Sequence, residues 1–158
     1  GFYNHPEKEC SCAPGTVQKY LNKISGPLLD RIDLHVEVTP VAFSALAIQK
    51  AGENSATIRE RVIRAREVQS ERYNNSPGIY CNAQISSKML KEICVIDGAG
   101  QQLLKSAMDK LNLSARAYDR ILKVARTIAD LSGSENIKTE FLAEAIQYRS
   151  LDREGWAG

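Results

Sequence analysis

The sequence predicts a mainly α-helical protein: a short helix-and-strand segment followed by a bundle of helices. Three observations predict it. Apolar residues recur at helical spacing through the stretches after residue 54. Residues 32–38 alone alternate apolar and polar side chains as a strand does. Between them, residues 41–54 follow neither rule clearly and read as a linker. The expected organisation is therefore a first unit over 1–40, a linker over 41–54, and a helical domain over 55–158.

Each element has its own signal. Residues 1–13 are irregular, with Pro6, the charges Glu7, Lys8 and Glu9, and then Cys10-Ser11-Cys12. From Pro14 a helix fits, because Val17, Tyr20, Leu21 and Ile24 share one face. Ser25-Gly26-Pro27 stops it, and Leu28-Leu29-Asp30-Arg31 reads as a tight turn into the strand. Thr39-Pro40 ends the strand, and residues 43–48 leave room for a short helix inside the linker.

The helical domain opens with residues 55–73, where Ile58, Val62 and Ala65 lie on one side among Arg59, Arg61, Arg64 and Arg66. Asn74-Asn75-Ser76-Pro77-Gly78 breaks it. Ser86 or Ser87 caps a short helix through Cys94. Residues 99–111 make another, with Leu103, Leu104, Met108 and Leu111 inward. Asn112-Leu113-Ser114 supplies a turn and an N-cap for residues 115–131. That helix has the clearest apolar stripe: Ile121, Val124, Ala125, Ile128 and Leu131, with Gly133 placed as a C-terminal glycine. Residues 139–148 form the last, facing inward through Phe141, Leu142 and Ile146.

Composition narrows the class. The 43% hydrophobic and 25% charged residues are those of a soluble globular protein. A net charge of +2 gives no general case for nucleic-acid binding, although a local patch can hide within a neutral total. No apolar run approaches the roughly 20 residues that span a bilayer. The start, Gly1-Phe2-Tyr3-Asn4, has no signal-peptide pattern and no initiating Met. A cytoplasmic location and an origin as a segment of a longer protein are expected. The four cysteines need not be disulfide-bonded, since a chain of 158 residues can bury an adequate core without them.

Three places carry candidate chemistry. Arg31 sits on a turn restrained by Pro27, with Asp30 and Asp33 on either side. It either pairs with one of them at the surface or offers its charge to an external anion. Arg116 sits in the first turn of the 115–131 helix, where a cation opposes the macrodipole. It needs an anion nearby, or pairs with Asp119. Arg120 and Arg126 read as solvated or paired with Asp130, and the arginines of 55–73 as pairing with Glu60, Glu67 and Glu71. Cys10 and Cys12 offer half of a tetrahedral zinc site, or are two free thiols on a loop. Cys81 and Cys94 read as small buried side chains.

Absences matter equally. The sequence has no Gly-x-x-x-x-Gly-Lys-Ser/Thr phosphate loop and no apolar run ending in paired acids. Its two histidines, His5 and His35, complete no Ser/His/Asp arrangement. His35 lies within the expected strand and reads as structural.

The turn Leu28-Leu29-Asp30-Arg31-Ile32-Asp33 resembles the late-core element of magnesium-chelatase and MCM-type AAA+ proteins. The order His5-Pro6, Cys10-x-Cys12, Ser25-Gly26-Pro27-Leu28-Leu29-Asp30-Arg31-Ile32-Asp33 resembles the ComM/YifB family of magnesium-chelatase-like ATPases across residues 3–38. The resemblance implies that 1–40 is the end of an αβα AAA+ core and that 55–158 is its helical lid. It implies that Arg31 is an arginine finger reaching across a subunit interface. A guanidinium fixed beside the γ-phosphate oxygens stabilises charge developed in phosphoryl transfer, contributing roughly 10³–10⁵ in rate.

The Ser114-Ala115-Arg116 start, on a helix running to Arg126-Thr127-Ile128-Ala129-Asp130-Leu131, resembles the sensor 2 element. That implies that Arg116 reaches the ATP phosphates of its own subunit. In the same family a Cys-x-Cys-Gly precedes this region, and Gly1 resembles that glycine, so a second cysteine pair is expected before it. The implied cofactors are ATP and Mg, with Zn at Cys10 and Cys12. The implied partners are further copies in a ring, expected to be a hexamer, and DNA, in recombination and branch migration; no membrane is implied. Without a phosphate loop, this chain is expected to be inactive alone. The alternatives are the ATPase subunit of porphyrin metal insertion and a non-catalytic helical interaction module.

Overall fold

The computed structural model describes residues 1–3, 5, 7–38, 40–41 and 52–149. The helix expected at 43–48, much of the linker and the tail beyond Arg149 lie outside the described residues. Regular structure among the described residues is helical. It comprises α1 (Pro14–Leu21), α2 (Gly26–Leu29), α3 (Ser55–Arg72), a 3-10 turn (Asn82–Gln84), α4 (Ser87–Ile93), α5 (Gly98–Leu111), α6 (Ala115–Leu131) and α7 (Thr139–Gln147).

Side-chain caps mark where four of the helices after residue 54 begin. Asn54 accepts the Thr57 amide at 2.9 Å for α3, and Asp97 accepts the Gly100 amide at 2.7 Å for α5. Ser86 and Ser114 accept the amides of Met89 and Ala117 for α4 and α6. Each satisfies an otherwise unpaired donor and stabilises its helix by about 1 kcal/mol. The end of α6 is equally defined. Gly133 takes a left-handed conformation (φ +65°), so that Ser134 N–H reaches the Ala129 carbonyl at 2.8 Å and Gly133 N–H the Asp130 carbonyl at 3.1 Å. Only glycine adopts that φ without steric cost.

The centre of the domain is α6. Its stripe of Ile121, Leu122, Ala125 and Ala129 is buried, and it packs on α3, α4, α7 and the 3-10 turn. From the other elements come Leu90, Leu104, Phe141, Leu142 and Ala145. The alanines at 117, 125 and 129 are completely buried, which lets neighbouring elements approach the α6 backbone closely.

Three expectations change. Residues 32–38 form no strand: a strand satisfies its amides and carbonyls on a neighbour, and no second strand stands among the described residues. The anticipated inward face, Ile32, Leu34, Val36 and Val38, is exposed, whereas His35 is buried. His35 is structural, donating its backbone N–H to the Tyr148 carbonyl at 2.8 Å, with Nε2 lying 3.3 Å from the Leu29 carbonyl oxygen. Second, Gly26-Pro27 does not merely end α1 but opens α2, because proline in a first helical turn sacrifices no hydrogen bond. Third, α3 is covered only toward its C-terminal half. Ala65 and Gln69 are buried, while Ile58 and Val62 on the same face are each 41% exposed.

Candidate functional site

Arg31 follows α2 and is exposed, and among the described residues its guanidinium meets no acid or acceptor. The neighbouring acids are occupied by other cations. Asp30 Oδ1 lies 3.7 Å from Nη2 of Arg149, and Asp33 forms an ion pair with Arg120. Arg149 is 1% exposed, and its Nη1 donates to the carbonyls of Leu29, at 3.5 Å, and of Ile32. The acids on either side of Arg31 thus fix the turn, and Arg31 itself points its charge outward.

Arg116 presents the same picture. It is exposed in the first turn of α6, with no side-chain partner among the described residues. Asp119, the acid expected to hold it, accepts from Ser87 Oγ at 3.1 Å. Arg120 is one turn further along the same face. It pairs with Asp33 and not with Asp130. That ion pair sets the Arg31 turn against the first two turns of α6.

Beneath the surface lies a polar network that the sequence revealed only in part. Asp130, its side chain fully buried, accepts two hydrogen bonds from Arg72 (2.8 and 2.6 Å), one from Arg126 Nε (3.1 Å) and one from Asn82 (2.8 Å). Arg126 also donates to the carbonyls of Glu135 and Ser134 at 2.7 and 2.6 Å, satisfying the backbone beyond α6. Asn82 receives Tyr73 OH at 2.7 Å and gives its backbone N–H to Gln69 at 3.1 Å. The Arg126–Asp130 pair follows the i, i+4 spacing and was legible; Arg72 and Asn82 come from distant sequence and carried no local signal.

Burial alone would raise the Asp130 carboxyl. Hydrogen bonds from Arg72 and Asn82, with the charges of Arg72 and Arg126, outweigh it and hold the group below its ordinary value. The bond to Asp130 in turn raises Arg72. An open groove of about 440 Å³ runs over this network, lined by Val68, Arg72, Ile93, Arg126 and Asp130 among others. Its guanidinium groups are already engaged by Asp130 and backbone carbonyls, so the network's role is structural.

Cys10 and Cys12 lie together. A Cβ on Gly1 would stand 2.5 Å from the Cys12 sulfur and 3.0 Å from the Cys10 sulfur. Hydrogen bonds from the backbone of Cys12 and of Phe2 lower the Cys10 thiol below its usual value. His5 Nδ1 accepts the Glu7 N–H at 3.1 Å, so that nitrogen is engaged. Among the described residues no group of three or more metal-binding side chains assembles. Cys94 is buried, which pushes its thiol up to about 11. On α3 the expected pairing does not form: Arg61 forks onto Glu53 at 2.9 and 3.1 Å, preceding the helix. Arg59, Arg64 and Arg66 are exposed, with no side-chain partner among the described residues.

Two family models match this chain: "Magnesium chelatase, subunit ChlI C-terminal" over residues 52–149, and "Magnesium chelatase, subunit ChlI" over residues 1–46. The chain belongs to the magnesium chelatase ChlI family and carries its C-terminal domain. It is 43% identical over 142 residues to the Competence protein ComM of Haemophilus influenzae, covering 89% of this chain and 27% of that protein. To YifB of Escherichia coli it is 40% identical over 145 residues, covering 90% and 27%. An uncharacterized Mycobacterium tuberculosis protein is 36% identical over 142 residues, covering 90% and 28%. The chain spans just over a quarter, 27–28%, of the length of these relatives. The resemblance to the ComM/YifB family read from residues 3–38 therefore holds across most of the chain. No helix among the described residues is long and apolar enough to cross a membrane.

Proposed function

We propose that this chain is the C-terminal part of a ring-forming AAA+ ATPase directed at DNA, supplying the arginine finger, Arg31, and the sensor 2 arginine, Arg116. One observation carries the reading. The two arginines singled out by the family resemblance are both exposed and unpaired among the described residues, while Asp30, Asp33 and Asp119 are held by other groups. An unpaired guanidinium on a restrained turn is suited to receive a phosphate.

In the complete protein, ATP and Mg supply the phosphoryl group and its counter-charge. Arg31 stabilises the γ-phosphate charge across the interface with the neighbouring subunit of a closed ring, a hexamer in this reading. Arg116 couples the phosphates to the lid. Arg59, Arg64 and Arg66 of α3 are the groups best placed to meet DNA phosphates. Cys10 and Cys12 supply two of the four ligands that a tetrahedral zinc site takes.

The family description keeps porphyrin metal insertion as the rival activity. Turnover of the full-length protein with DNA, and separately with porphyrin and partner subunits, tests the choice. Stimulation by DNA supports the motor reading; stimulation by porphyrin alone overturns it.

A further inference from the structure

The turn that carries Arg31 is gripped by two separate parts of the helical domain. Arg149, just beyond α7, donates to the carbonyls of Leu29 and Ile32 and faces Asp30. Two of those groups precede Arg31 in the chain and one follows it. The Tyr148 carbonyl accepts the His35 N–H at 2.8 Å. On the other side, Arg120 of α6 pairs with Asp33. A guanidinium that is 1% exposed is stable only where acceptors compensate its lost hydration. The Arg31 turn provides two carbonyl acceptors for Nη1 and a carboxylate 3.7 Å from Nη2.

We infer that Arg149 and the Asp33–Arg120 pair are positioning elements that tie the placement of Arg31 to the position of the helical domain. The inference rests on the reading of Arg31 as a finger. Arg120 lies one turn from Arg116 on α6. A shift of α6 that follows the phosphates therefore pulls on Asp33, while α7 pulls on the same turn through Arg149. The finger then occupies its working position only in one arrangement of the lid, which couples successive sites around the ring.

The test is steady-state ATP turnover of the full-length protein. Arg149→Ala and Asp33→Ala are expected to lower kcat while leaving KM for ATP unchanged, since Arg149 is buried against the turn and Asp33 is engaged by Arg120. A misplacement of about 1 Å can cost on the order of 10²-fold in rate. Arg149→Lys should recover only part of the loss, because a lysine cannot fork between two carbonyls and a carboxylate. Exchanging the surface pair, as Asp33→Arg with Arg120→Asp, should restore more activity than either single change.

In an Arg31→Ala background, Arg149→Ala should cost nothing further, because it acts through the missing side chain. Should Arg149→Ala fail to fold, the Asp33 and Arg120 variants carry the test, both residues being partly exposed. Wild-type kcat in folded Arg149→Ala and Asp33→Ala, alongside a dead Arg31→Ala, would overturn the positioning role alone. Wild-type turnover in Arg31→Ala would instead overturn the finger reading, and this inference with it.

Discussion

Arg72 and Asp130 stand 58 positions apart and meet in a two-pronged ion pair, with N–O distances of 2.6 and 2.8 Å, that joins the end of α3 to the end of α6. Removing the acid leaves two guanidinium groups without their counter-charge. Asp130→Ala should destabilise the chain by about 3–5 kcal/mol, as breaking a buried pair does. Urea unfolding measures it, and a loss below about 1 kcal/mol would mean that the network contributes little.

The same pair predicts a pH dependence. The Asp130 carboxyl is held below its ordinary value in the folded chain. Its contribution is therefore fully present above the unfolded carboxyl pKa of about 3.9, and is lost as pH falls through the lower folded value. Urea midpoints measured from pH 7 downward should fall more steeply in acid for wild type than for Asp130→Asn. Parallel profiles would contradict the assignment.

Core and uncovered apolar residues should respond differently. Leu104→Ala or Leu142→Ala removes a side chain that is 1% or 0% exposed and should cost about 2–5 kcal/mol. Ile58→Ala on the open half of α3 should stay within about 1 kcal/mol. Thermal unfolding of the three variants decides it. A large loss from Ile58→Ala would show that this face is covered in the folded chain.

The thiols should separate by reactivity. Cys10 is only partly buried, with its pKa lowered by backbone hydrogen bonds, whereas the Cys94 thiol is pushed up to about 11 by burial. Alkylation at neutral pH, followed by peptide mass spectrometry, should label Cys10 first and Cys94 last, because the thiolate is the nucleophile. Equal rates would remove the electrostatic distinction between them.

Much of the helical domain was legible because its signals are local. Ser114 and Gly133 mark the ends of α6 with side-chain and backbone chemistry that acts within four residues. Arg31 and Arg116 were singled out by the family pattern around them, and the structure adds that both are exposed with no side-chain partner among the described residues. The missing strand was not, because residues 32–38 alternate correctly but a strand exists only against a neighbour. Arg149 and Arg72 were missed for a related reason. Their partners lie 117–120 and 58 positions away in the chain, and no spacing rule reaches so far. The open half of α3 was misread because apolar periodicity identifies a face without showing whether anything covers it.

The assignment of Arg31 as the finger is tested most directly by subunit mixing in the full-length protein. Arg31→Ala should bind ATP with near wild-type affinity and lose turnover, because its interaction belongs to the transition state in the neighbouring subunit. Arg116→Ala should instead weaken ATP binding roughly ten- to a hundred-fold, the loss of a charged hydrogen bond. Rings mixed from Arg31→Ala and a phosphate-loop variant should regain turnover at the interfaces where an intact finger faces an intact loop. Wild-type turnover in folded Arg31→Ala, or no recovery in rings shown to contain both variants, would contradict the account.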